Sequence, residues 1–258
     1  MKNLAICGDS FNIGIGCEDL RNEPYGSLLA KKYGANLFNF AKGSSSNFGI
    51  FLQIKYAIEN VKDLDFVCVS VTSYDRTEWF PDDFETQHNM ELKNSDVNYH
   101  EYPPYHIDSY PTILDNPMKN DPNYTGKMLT ESYSSIFHYL DNMSMRYYTR
   151  LSGERIDKVK LIKDYYLNVF DVSIKRQYDI GLIVMSHLLL AKNNIPHLII
   201  HSDNDFPQFV PEKNLLFLHW GDLCAKFPDK IGSYHTSPEG HMEIYDMIIK
   251  KLENDTNE

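Results

Sequence analysis

The chain has 258 residues, 42% hydrophobic and 13% aromatic, which is enough for one large or two small domains with a proper core. A formal net charge of −11 leaves no basic footprint for a nucleic acid, so no nucleic-acid partner is expected. No run of about 18 apolar residues occurs, which argues against a membrane span.

Residues 4–7 (LAIC) read as a short buried strand that starts at once, leaving no room for a signal peptide. The strand breaks at Gly8-Asp9-Ser10, and residues 11–22 read as a loop containing Gly14 and Gly16. Residues 25–33 have helical apolar spacing, with Gly34 placed to stop the helix. A second strand is expected over 35–41, a small-residue loop over 42–47, a helix over 50–61 and a nearly all-apolar third strand over 65–72. Strand, helix, strand, helix, strand with short connections predicts a parallel α/β sheet.

Residues 76–130 break the pattern. Pro81, Pro103, Pro104, Pro111, Pro117 and Pro122 exclude long elements there, and Tyr99, Tyr102, Tyr105, Tyr110 and Tyr124 argue against full disorder. A stretch of this kind reads as a functional lid or binding loop, followed by a helix over 131–149. Residues 156–193 show helical periodicity through Ile162, Tyr166, Val169, Phe170, Ile180, Val184, Leu188 and Ala191, with a break expected near Gly181. Strands follow at 197–201 and 215–218. A closing helix over 238–253 has Ser237 as its N-cap and Pro238 in its first turn. On that helix Glu243, Asp246 and Lys250 are expected to face water, while Met242, Ile244, Tyr245, Ile248 and Ile249 pack. No repeat or linker interrupts the chain, so one domain over 1–258 with an insertion at about 76–150 is expected. The four cysteines, Cys7, Cys17, Cys68 and Cys224, form no C-x-x-C pair and read as reduced thiols of a cytoplasmic protein.

Ser10 follows the first strand, and strand ends open onto the crevice of an α/β sheet. Gly-Asp-Ser alone reads as an ordinary turn. As a nucleophile, a serine hydroxyl needs a general base and oxyanion donors. Of ten histidines, His235 stands in a polar loop after the last strand and before the last helix, from which it can return to the edge that holds Ser10. His241 reads as a partly buried or capping side chain, and His197 and His201 as structural. The spacings of His88, His100 and His106 match no ligand pattern, so no metal site is expected. Arg76, after the third strand, can bind an anionic substrate group or pair with neighbours such as Glu78.

These blocks resemble the SGNH (GDSL-type) hydrolase superfamily, and among its members the compact forms found in phage genomes, which would place the chain in a host cytoplasm. The resemblance covers the sheet and its helices but not residues 76–150. It implies a flavodoxin-like three-layer sandwich with a parallel five-stranded sheet. It also assigns Ser10 in Gly8-Asp9-Ser10 as nucleophile, the Gly43 N–H of Asn39-Phe40-Ala41-Lys42-Gly43-Ser44-Ser45-Ser46-Asn47 as an oxyanion donor beside that of Ser10, and His235 of His235-Thr236-Ser237-Pro238-Glu239-Gly240-His241 as base. The implied substrate is an ester, an O-acyl group on a sugar or other polar carrier, and no cofactor is called for.

The chain departs from the family pattern twice. The block after the third strand lacks the usual asparagine, leaving Thr72, Ser73 or Asn47 as candidates for the third oxyanion donor. The acid three residues before the histidine is replaced by Gly232, leaving a backbone carbonyl or Asp229 to orient the ring. Asp9 and Arg76 are the residues expected to touch substrate. A non-catalytic binding protein on this fold, and an acyltransferase using the same residues, are the alternatives.

Overall fold

The computed structural model describes residues 1–42, 45–74, 76–79, 108–110, 168–202, 209–230 and 235–255. Its centre is a parallel sheet of β1 (Asn3–Cys7), β2 (Asn36–Asn39), β3 (Phe66–Ser70), β6 (His197–His201) and β7 (Leu215–Phe217), in the order β2-β1-β3-β6-β7. A separate antiparallel ribbon pairs β4 (Thr77–Trp79) with β5 (Asp108–Tyr110). With that ribbon set aside, the order is the doubly wound one of flavodoxin-like folds, as expected.

Alternation along the strands builds two cores. Ala5, Cys7, Val67, Val69 and Ile199 face one side and pack with Ile50, Ile54 and Ala57 of α3 (Asn47–Asn60) and with Ile180, Ile183 and Leu190 of α4 (Val172–Lys192). Leu4, Ile6, Phe66, Cys68, Leu198 and Ile200 face the other and meet Tyr25 and Leu29 of α2 (Tyr25–Tyr33), Leu223 of α5 (Trp220–Lys226), and Ile244 and Ile248 of α6 (Pro238–Asp255). Every residue of β3 is buried, which explains its apolar text: a strand covered on both faces has no polar side to show. Each such side chain contributes roughly 1.5–3 kcal/mol by leaving water.

Local sequence sets the helix ends. Gly34 closes α2 in the left-handed conformation (φ 60°), and the Ser46 hydroxyl caps α3 by accepting from the Gly49 N–H. Several expectations change. The loop after Ser10 begins with a helical turn, α1 (Ser10–Ile13), capped by Asp9. Gly181 does not break α4, since a glycine inside an otherwise good helical sequence costs only about 1 kcal/mol. Asp171 caps that helix through the Ser173 and Ile174 N–H groups, and Val169 and Leu188 lie exposed instead of in the core. On α6, Met242 is exposed rather than packed. The helix expected at 131–149, most of the tyrosine-rich stretch and residues 156–167 lie outside the described residues.

All four cysteines are free thiols, and Cys7, Cys68 and Cys224 are buried. Among the described residues no helix is long and apolar enough to cross a membrane.

Candidate active site

The sheet order reverses between β1 and β3, so the crevice opens at the carboxyl ends of these two strands. The segments that leave them are Gly8-Asp9-Ser10 and Val71–Arg76, and buried polar contacts join the two. Gln53 of α3 holds Gly8 at both backbone groups: its Oε1 accepts from the Gly8 N–H (2.8 Å) and its Nε2 donates to the Gly8 carbonyl (3.1 Å). The same Nε2 donates to the Ser45 hydroxyl (2.9 Å), which ties in the loop before α3. A Cβ on Gly8 would fall on the Asn12 side chain, so this turn requires glycine.

Asp9 is the hub. Its Oδ1 accepts from the Phe11 N–H (3.1 Å), capping α1. Its Oδ2 accepts from the Thr72 hydroxyl (2.8 Å) and from Arg76 Nη1 (3.0 Å). The same Nη1 donates to the Ser45 carbonyl (3.0 Å). Asp9 and Arg76 are 4% and 2% exposed. Sequence reading set these two toward a substrate; the structure turns them toward each other. The ion-pair alternative for Arg76 is the geometry present, with Asp9 as its partner.

Asn47 is similarly committed. Its Oδ1 accepts from the Thr72 N–H (3.0 Å), and its Nδ2 donates to the Thr72 carbonyl (3.1 Å) and to Asp179 Oδ2 (2.9 Å). The Asn47 amide clamps the backbone of Thr72, whose hydroxyl is spent on Asp9. Of the three candidates for the third oxyanion donor, Ser73 alone is exposed. Gly43 lies outside the described residues, as does Gly232.

Ser10 is the first residue of α1, 2% exposed, and its N–H has no partner inside the helix. His235, also buried, comes from the far end of the chain. Its ring packs on Phe11, the residue after Ser10, with centroids 4.9 Å apart, and Phe11 stacks on Trp220 of α5 at 4.6 Å. A short antiparallel bridge between Pro228 and Thr236 holds the histidine loop, with the Asp229 N–H donating to the His235 carbonyl (3.1 Å) and the Thr236 hydroxyl to the Phe227 carbonyl (3.1 Å). Gly16 (φ 103°) presses the loop after Ser10 against the Thr236 carbonyl.

His241 lies fully buried behind this arrangement. Its Nδ1 accepts from the Tyr25 N–H (3.5 Å), while Nε2 is buried without a hydrogen-bond partner. Burial, with His235 nearby, pushes its pKa down to about 4, so it is neutral at ordinary pH. Tyr25 continues inward: its hydroxyl accepts from Asn12 Nδ2 (2.6 Å), and Asn12 Oδ1 accepts from the Asp9 N–H (3.3 Å).

Sequence reading missed Gln53, Asn12 and Asp179. Gln53 and Asp179 carried a detectable signal, a polar residue on an otherwise buried helical stripe, beside Ile50 and Ile54 in one case and Ile180 and Ile183 in the other. Among the described residues no group of three or more His, Cys, Asp or Glu could hold a metal ion.

No protein-family model matches the chain, and no curated protein matches it by sequence. Among solved structures it is similar to the psychrotrophic esterase EstA from Pseudoalteromonas sp., in a structure inhibited by monoethylphosphonate. The identity is 10%, the TM-score 0.48, and the alignment covers 100% of both chains. A likeness at this level adds nothing to the topology described above.

Proposed function

We propose that the protein is a serine hydrolase of the SGNH type that cleaves an ester, an O-acyl group on a sugar or another polar carrier. The observation that carries this reading is the meeting of the chain's two ends: the His235 ring rests on Phe11, beside Ser10, at the carboxyl end of β1. An elbow whose backbone is gripped by Gln53 and whose Asp9 is gripped by Arg76 and Thr72 holds its serine in one place, as a nucleophile requires.

In this mechanism Ser10 Oγ attacks the ester carbonyl carbon while His235 takes the hydroxyl proton. The carbonyl electron pair moves onto oxygen, and the N–H groups of Ser10 and Gly43 stabilise the oxyanion. Collapse expels the alcohol, protonated by His235, and leaves an acyl-serine. Water, deprotonated by His235, then releases the carboxylic acid and restores Ser10. The Thr72 hydroxyl and the Asn47 amide, two of the candidates for the third donor, are committed elsewhere.

That commitment also favours a second reading, a binding protein with a reduced site, since loss of one oxyanion donor costs about 10²–10³ in rate. A screen on short-chain aryl esters and acetylated sugars separates the two. The hydrolase reading expects turnover that Ser10→Ala abolishes; turnover equal in Ser10→Ala, or none on any ester, contradicts it.

A further inference from the structure

The usual acid position before the histidine holds a glycine, and the hairpin geometry points to a replacement. Pro228 and Thr236 face each other in the antiparallel bridge, so the next pair inward is Asp229 opposite His235, joined by the Asp229 N–H to the His235 carbonyl at 3.1 Å. Directly opposed residues of an antiparallel pair project from the same face, with Cβ atoms about 5 Å apart, which is within reach of a carboxylate and an imidazole. Two contacts set that face toward the nucleophile. A Cβ built on Gly16, in the loop after Ser10, comes 3.2 Å from the Asp229 Cβ, while the His235 ring lies on Phe11 in the same segment. Asp229 is 7% exposed, an uncommon setting for a carboxylate.

We propose that Asp229 is the positioning residue for His235, holding its Nδ1–H and stabilising the imidazolium, an acid six residues before the histidine on the facing strand of a hairpin. The proposal rests on the hydrolase reading. Among the described residues, three other titratable groups nearby are engaged or neutral. Asp9 is bound to Arg76 and Thr72. His241 on α6 is held neutral, with its pKa near 4. The Cys224 thiol on α5 is pushed up to about 12 by burial, then by the charges of Asp229 and Asp9.

The test compares wild type with Asp229→Asn. Where wild type hydrolyses an ester, the asparagine variant is expected to lose about 10⁴ in kcat with KM within about twofold, because it holds the wrong tautomer. Its fluorophosphonate labelling is slowed but still at Ser10. In parallel, NMR of ring-labelled histidine follows His235: its pKa is expected to fall by a unit or more in Asp229→Asn as the neighbouring negative charge is lost. An unchanged kcat in an active enzyme, or an unchanged His235 titration, overturns the assignment. The titration needs no turnover, so wild type that hydrolyses nothing sinks the hydrolase reading while Asp229 is still judged by NMR. Should Asp229→Asn fail to fold, the wild-type tautomer decides: a proton on His235 Nδ1 supports the assignment, and one on Nε2 overturns it.

Discussion

Arg76 and Asp9 carry charges that are almost fully out of water, and each is tolerable only because the other is there. Arg76→Met should therefore cost about 3–5 kcal/mol of stability, the range for removing one partner of a buried pair. Urea denaturation measures it. A variant of wild-type stability with only a raised KM would restore Arg76 to the substrate-binding role that the sequence allowed. His241 gives the opposite case, a titratable group kept neutral. Its folded pKa of about 4 lies below the ordinary 6.5, so between these values the unfolded chain binds a proton that the folded one does not. Stability is then lost as pH falls through that window, by up to about 3 kcal/mol from this residue. In His241→Gln the difference in unfolding free energy between pH 7 and pH 4 should shrink by about that amount; an unchanged difference contradicts it. Burial also lowers the pKa values of His187 and His197, so acid lability from these two remains in the variant.

At the scale of elements, the turns and loops do as much as the strands. Gly16 adopts a φ of 103°, and its missing Cβ leaves room for the Thr236 carbonyl, so the loop after Ser10 and the histidine hairpin can touch. Gly16→Ala is expected to destabilise the fold by about 2 kcal/mol or more, combining backbone strain with overpacking. It should also lower kcat by moving His235 relative to Ser10, whereas Gly34→Ala, with open space around its Cβ, should leave kcat alone. Equal kcat in all three proteins would contradict the positioning role. The strands and most helices were legible in the sequence because alternation and 3.6-residue periodicity record burial directly: β3 and α3 are the clear cases. The partners of Asp9 and Asn47 were not legible. A carboxylate at a strand end reads the same whether it faces a ligand or an arginine brought from beyond the next strand, and only the fold decides which. Gly181 misled for a related reason, since tertiary packing of the flanking Ile180, Leu182 and Ile183 outweighs one weak helix former.

Across the whole molecule, the doubly wound order brings residues from both ends of the chain and from the β3 exit to one edge of the sheet. Two cores hold that sheet rigid, one under α3 and α4 and the other under α2, α5 and α6. Ser10, His235 and the Asp9–Arg76 pair, the candidate site, stand at the crevice edge, where such a scaffold presents chemistry. The positions of Ser10 at a strand end and of His235 before the last helix were readable because turn residues at a strand end and before a helix N-cap are local signals. Of what surrounds them, Asp229 was named from its nearness in sequence, whereas Gln53, Asn12 and Asp179 are long-range partners and were not. The most direct measurement for the central claim is intact-mass and peptide mapping after reaction with a fluorophosphonate, on wild type, Ser10→Ala and His235→Ala. The account predicts one adduct on Ser10 in wild type, none in Ser10→Ala and strongly slowed labelling in His235→Ala. An unlabelled wild type, or an adduct on another residue with Ser10 untouched, would contradict it.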